Sequence, residues 1–371
     1  MLTKYDEFTC HQAVQSFDSP AVTDRAWTEK LWMNIHDTKG EIVLATGFGV
    51  YPNRNVMDGF ACVNIKNTDQ YNMRMSRELR PKIDEIAVGP LSYNVIEPFK
   101  KIHVKLEENK YGISFELDFL GKFQPGEENP QFGKNKGHVY MHTCRYAQLG
   151  KATGWIKADG KKYDVDEKNF CAQRDHSWGI RMGVGASETG VQAPDIALFT
   201  AMMINWLVIQ FDEWALNCYL IERADGSIKL LTGEIVRKLG DTNDTIKIIK
   251  VDHNFVYFEN SQRMKSGTMK FYLSDGTTKE IEMKEIITMY LRGGAYVGYK
   301  GFRHGTWMGP YWEDGEKWDI KNPDVANDVH GLDDTVCEVK CGKETGYGII
   351  ENMLFAPFPK YNITQWGFKP A

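Results

Sequence analysis

The chain has 371 residues, enough for two domains with sizeable cores, and its net charge of −5 leaves no basic footprint for nucleic acid. Apolar residues at 42% and charged residues at 26% are ordinary for a soluble globular protein, while the aromatic share of 12%, with ten Trp, is high. Large rings fill a core, and they also line pockets for apolar ligands.

Met1 to Glu7 carries no apolar run of the kind a signal peptide needs. The seven cysteines are odd in number and scattered, with no Cys-x-x-Cys pair. Free thiols in a reduced cytoplasmic setting are the expectation.

In chain order, residues 1–37 show mixed periodicity, with room for short helices, before a turn at Asp37-Thr38-Lys39-Gly40. Glu41 to Tyr51 and Phe60 to Lys66 are rich in β-branched and aromatic residues and read as strands. Tyr93 to Glu97 stops at Pro98; His103 to Glu107 and Ile113 to Phe119 alternate apolar with polar, as half-buried strands do. Gln124 to Lys136, rich in Pro, Gly, Asn and Glu, reads as a mobile loop.

A second strand series starts at Val139. Asp-Gly pairs at 159–160, 225–226 and 275–276 each sit between strand-like runs and predict hairpins. Ile246 to Val251 and Val256 to Phe258 read as further strands, and the apolar run Ile196 to Leu207 is too short to span a bilayer. No capped helical run of ten residues appears, although 187–195 has room for a short one. Many short strands with tight turns give an all-β, antiparallel barrel or sandwich fold. Two units fit the length, 1–190 and 191–371, with the boundary in the Gly-rich stretch 185–195.

The chemistry concentrates in Cys171-Ala172-Gln173-Arg174-Asp175-His176-Ser177-Trp178-Gly179-Ile180-Arg181, with Gly179, Gly183 and Gly185 expected to turn the backbone just past the cluster. This stretch falls near the expected junction. Arg174-Asp175-His176-Ser177-Trp178-Gly179-x-Arg181 resembles the signature of bacterial proteins with two lipocalin-like β domains. Those proteins are distantly similar to the carotenoid 1,2-hydratase (hydroxyneurosporene synthase) and AttH-like superfamily. Tyr51 to Gly59, Val88 to Leu91, Tyr146 to Gly150 and Gly346 to Glu351 agree with it in order.

The resemblance implies an apolar pocket for a terpenoid, polyketide or similar lipophilic molecule, in proteins acting as hydratases, dehydratases or pericyclase-like enzymes. Such chemistry needs a proton donor or acceptor and a place for transient positive charge. Asp175 and His176 are the candidate acid and base. Trp178, with Trp206 or Trp307, would offer a ring face to a cation, and Arg174 and Arg181 would orient Asp175. Tyr51 and Asn53 form a polar loop able to touch substrate, and Arg303-His304 with Trp307 makes a second polar and aromatic cluster.

In a regular strand Asp175 and His176 point to opposite faces, so sharing one pocket requires a bulge. A purely structural role for Asp175, paired with an arginine at the junction, stays open. No His-x-His or His-Glu-x-x-His occurs, so no metal is expected, and neither a dinucleotide fingerprint nor a Gly-x-Ser-x-Gly elbow is present. The sequence thus points to a cofactor-independent lyase or isomerase acting on a lipophilic small molecule, with no membrane span. A non-catalytic carrier and a shape-driven cyclase are the alternatives, and a homo-oligomer is compatible with the chain.

Overall fold

The computed structural model describes residues 1–185, 190–192, 195, 200–259 and 261–364. The chain folds into two antiparallel β systems, and the α-helix Pro323–Val329 is short. The first is a sheet of fourteen strands. Its path runs Tyr311–Asp319, Asp69–Glu78, Val56–Ile65, Ile42–Tyr51, Trp27–Asp37, Phe170–Arg181, His138–Ala158, Ile113–Gly121, Lys101–Leu106, Leu91–Glu97 and Ala87–Val88. The second is a closed barrel of Met202–Gln210, Ala215–Arg223, Ile228–Val236, Ile246–Tyr257, Met264–Leu273, Thr278–Tyr290, Asp333–Cys341 and Glu344–Phe355. This is the lipocalin-like, all-β architecture expected.

Period-2 alternation sorts the side chains into three cores. Leu31, Met33, Leu44, Phe48, Phe115 and Phe119 fill the concave side of the first sheet. Met203, Leu207, Phe255, Phe271 and Ile281 fill the barrel. Trp32, Val43, Phe60, Leu149, Trp206, Val208 and Ile349 form a third core, where the outer face of the sheet meets the barrel wall. Trp27–Asp37 is therefore buried on both faces, which is why no clean alternation showed in residues 1–37. Met202–Gln210 is likewise buried throughout; residues 196–199 of that apolar run, like most of 187–195, lie outside the described residues.

The strand Tyr311–Asp319 leaves the second half of the chain and pairs with Asp69–Glu78 along nine residues, Tyr311↔Arg77 to Asp319↔Asp69. Arg74, fully buried, holds it there with Nη1 to Glu316 at 2.8 Å and Nη2 to Asp314 at 2.8 Å. A desolvated guanidinium forked between two carboxylates fixes register as well as position.

The three Asp-Gly hairpins form, with two turn types. Asp159 and Gly160 both have positive φ (51° and 71°), as a type I′ turn demands. At 225–226 and 275–276 the glycine alone of each pair has positive φ (84° in both). There the Asp carboxylate accepts the backbone N–H two residues on, from Ser227 and Thr277, at 2.9 Å each.

Two expectations need correction. Gln124 to Lys136 is not a free loop, because Gly126–Glu127 and Gln131–Asn135 pair with the long strand His138–Ala158. Gly179 does not turn the chain. It lies inside Phe170–Arg181 with φ +124°, where a Cβ would come within 2.1 Å of the His142 carbonyl oxygen. The turn falls further on, at Gly183 and Gly185 (φ 82° and 69°).

No helix of the described residues is long and apolar enough to cross a membrane.

Candidate active site between the sheet and the barrel

Phe170–Arg181 pairs in unbroken register with Trp27–Asp37 on one side and His138–Ala158 on the other. No bulge intervenes, so Asp175 and His176 face opposite ways. Asp175 sits opposite Trp32 and Ala147, on the face that meets the barrel. His176 sits opposite Leu31, on the concave face, where its Nε2 lies 2.7 Å from Glu29 and its Nδ1 3.2 Å from the Tyr146 hydroxyl. The expected acid and base are not in one site.

The same alternation removes Trp178, whose ring meets His176 (5.6 Å) and Tyr146 (6.4 Å) edge-on. Arg174 also faces the concave side, bonded to Gln148 and Tyr146 rather than to Asp175. Asn53 is a clasp for the N-terminal segment, donating to the Val22 and Asp24 carbonyls at 2.8 Å each. Trp307 is 51% exposed.

What gathers around Asp175 comes from elsewhere in the chain. Arg145, two positions from Ala147 on the same face, reaches the Asp175 carboxylate at 3.4 Å and grips Glu128 through Nε (2.9 Å) and Nη2 (2.8 Å). Trp206 donates its indole N–H to Glu128 at 2.6 Å. Its ring face, expected to meet a substrate cation, is covered by Arg145 at 5.0 Å, as is that of Tyr219 at 4.9 Å. Glu128 is 2% exposed, so this is a desolvated pair; burial raises its carboxyl while Arg145 pulls the other way.

A second part of the cluster centres on Lys30 and Asp58. Lys30 lies two residues before Trp32 on the same face, and its ammonium meets His304 Nδ1 at 2.5 Å. The Gly294 carbonyl, which accepts at 2.6 Å, requires the hydrogen on His304 Nε2, leaving Nδ1 as the acceptor for Lys30. Asp58 accepts from the Gly305 backbone N–H at 2.7 Å and from the Tyr51 hydroxyl at 3.2 Å. Tyr51 and His304, both picked from sequence, are thus buried here, while Arg181 donates to Ser177 Oγ at 2.8 Å beside them.

Burial dominates the electrostatics. It pushes Asp58 up to about 7 against the pull of Lys30, and with Arg181 it brings Lys30 down to about 7. It lowers His304, with Lys30 adding to the effect. Glu351 rises to about 8, chiefly from burial, with Asp175 and Glu128 adding and Arg145 and Arg181 opposing. Several polar atoms on these facing surfaces are buried with no protein partner among the described residues: Trp32 Nε1, Asn34 Oδ1, Gln173 Oε1, Arg181 Nε and Asp334 Oδ1. Two cavities open elsewhere, and neither is lined by Asp175 or His176.

Lys30, Asp58, Glu128, Arg145 and Glu351 were not singled out as site residues from sequence. Asp58 and Glu351 stand within the stretches that carried the resemblance; a lone carboxylate in a strand has no local signature.

Glu351 gives a testable sign. In the unfolded chain it loses its proton near its ordinary value of 4.5, whereas the folded protein holds it to about 8. Its stabilising contribution is therefore full below the lower value and is lost as pH rises through the higher one. The melting temperature of Glu351→Gln minus that of the native protein is expected to rise between about pH 5 and about pH 8. A difference that stays flat over that range would remove Glu351 from the argument.

Residues 2–364 match the model of a family described as Family of unknown function (DUF8625). No curated protein matches the chain by sequence. Among solved structures, the AttH-like protein of Nitrosomonas europaea has a TM-score of 0.53 at 11% identity, covering 89% of this chain and 93% of that one. CghA with Sch210972 (TM-score 0.48, 9% identity, 89% of each chain) is also similar. So is kievitone hydratase from Nectria haematococca (TM-score 0.41, 11% identity, 89% and 90% of the two chains). The likeness to the AttH-like protein concerns the fold, which is that of the group the central motif resembles.

Proposed function

The chain belongs to that family of unknown function, and on that premise we propose that it is a cofactor-independent lyase or isomerase acting on a lipophilic small molecule. The reaction is a hydration, a dehydration or a double-bond migration on a terpenoid, polyketide or aromatic compound. It takes place at the buried polar cluster between sheet and barrel. The observation that carries the reading is the placing of Glu351 opposite Trp206 in the barrel wall, beside Asp175 and two arginines, where burial raises its carboxyl to about 8. A group poised near neutrality both gives and takes a proton at working pH.

In this reading Glu351 delivers the proton to the alkene carbon or the leaving hydroxyl. Asp175 supplies negative charge opposite the cationic carbon that results. Lys30 and Asp58, both near 7, complete the cluster, with neutral His304 accepting from the Lys30 ammonium. The apolar residues packed around them, Trp32, Phe60 and Val208 among others, keep the cluster dry.

The test is incubation with a panel of allylic alcohols, enones and lipophilic extracts in D2O, read by mass spectrometry. Gain or loss of one water, or deuterium fixed at carbon, is expected for the native protein and not for Glu351→Gln. Product formation at the native rate in Glu351→Gln overturns the assignment. Stoichiometric capture of a ligand released unaltered would identify a carrier instead.

A further inference from the structure

A cavity of about 430 Å3 lies at the seam where the two halves of the chain meet, and it shares no residue with the polar cluster. An antiparallel bridge between Phe123 and Lys238 stitches the seam beside it. Lys122, Lys151 and Lys168 line it from the first half and Lys238 from the second, against two carboxylates, Glu167 and Asp212. That excess of positive charge stands out in a chain of net charge −5.

Two of the four lysines have acidic partners: Lys122 with Glu167 at 2.8 Å, and Lys238 with Glu213 at 2.7 Å. Lys151 and Lys168 make no side-chain ion pair among the described residues, although Asp166 lies near Lys168; Lys151 turns to the buried Cys171 sulfur at 3.5 Å. A second observation is independent of charge. Gln210 lines the same cavity at 5% exposure, and its side-chain nitrogen has no acceptor. A buried donor without an acceptor is costly to keep. Phe211 and Tyr347 add flat apolar surface to the lining.

We propose that this cavity binds an organic oxyanion, a carboxylate or phosphate carried on an aromatic body. The anion lies between Lys151 and Lys168 and accepts from the Gln210 amide, while the ring packs on Phe211 and Tyr347. Because its lining comes from both halves, occupancy ties them together. The inference stands whether or not the chemistry assigned to Glu351 does.

Isothermal titration calorimetry on the full chain tests it with phenyl phosphate, benzoate, inorganic phosphate and the neutral benzyl alcohol. One equivalent of phenyl phosphate or benzoate is expected to bind, and whichever binds more tightly identifies the head group. Inorganic phosphate should bind about tenfold more weakly and benzyl alcohol still less. The Lys151→Gln/Lys168→Gln variant should weaken binding at least about tenfold, because charge-assisted contacts are lost. Gln210→Leu should weaken it with both lysines in place. Lys360→Gln, at the other cavity, should leave it unchanged. Undiminished affinity in the double lysine variant, or benzyl alcohol binding as well as benzoate, would overturn the proposal.

Discussion

Asp175→Asn is expected to lower turnover by about 10² to 10³, the range for loss of one electrostatic contact to developing charge, while the protein stays folded. His176→Ala is expected to leave turnover unchanged. The two residues are neighbours in sequence and separated by the thickness of a sheet, so the pair of variants asks which face carries the chemistry. Asparagine keeps the shape of the side chain and a hydrogen-bond acceptor for Arg145 at 3.4 Å, so packing changes little. What it removes is the negative charge that faces Glu351, Lys30 and Arg145. Glu351→Gln should cost a similar factor. The double variant should cost far less than the product of the two, since groups acting in one step are not additive. Were His176→Ala to abolish activity with Asp175→Asn unaffected, the working site would lie on the concave face, among Glu29, Tyr146 and Trp178.

The strands and hairpins were legible because each rests on local chemistry: alternation along His103 to Glu107 and Ile113 to Phe119, and a glycine able to take positive φ at 160, 226 and 276. The site was legible only in part. Asp175, Tyr51, Trp206, His304 and Arg181, picked from sequence, lie in the proposed cluster, but a dense run of chemical groups does not tell one face of a strand from the other. Trp178 and His176 came with them for that reason. Lys30 was hidden in a strand buried on both faces, where no alternation marks a lysine as out of place. Glu128 stood in a stretch whose composition suggests a loop. Its burial depends on Gly126–Glu127 pairing with Tyr146 and Ala147, twenty residues on. The placing of Tyr311–Asp319 on the first sheet is set by Arg74, over two hundred residues earlier, and no window of sequence contains both.

Arg145→Leu is expected to be the most destabilising substitution in the cluster. Its side chain is 14% exposed, and although desolvation works against its charge, Glu128 and Asp175 outweigh that and hold it protonated. Leucine would leave Glu128 enclosed at 2% exposure with only the Trp206 N–H for company. Breaking such a pair from one side costs about 3–5 kcal/mol, against far less when both members are replaced by apolar groups. At roughly 1.3 °C for each kcal/mol in a chain of 371 residues, the melting temperature should fall by about 4–6 °C. Arg145→Leu/Glu128→Leu should regain much of the loss, and Arg145→Lys little of it. An ammonium cannot span Glu128 on two donors and Asp175 on a third. A melting temperature unmoved by Arg145→Leu would mean that water already solvates Glu128, and the dry cluster on which the acid role of Glu351 depends would be gone. If instead the loss is as large as expected, the arginine is what allows the buried carboxyls Glu128, Asp175 and Asp334 to sit close to the half-buried Glu351, whose proton affinity is raised first by desolvation and then by Asp175 and Glu128.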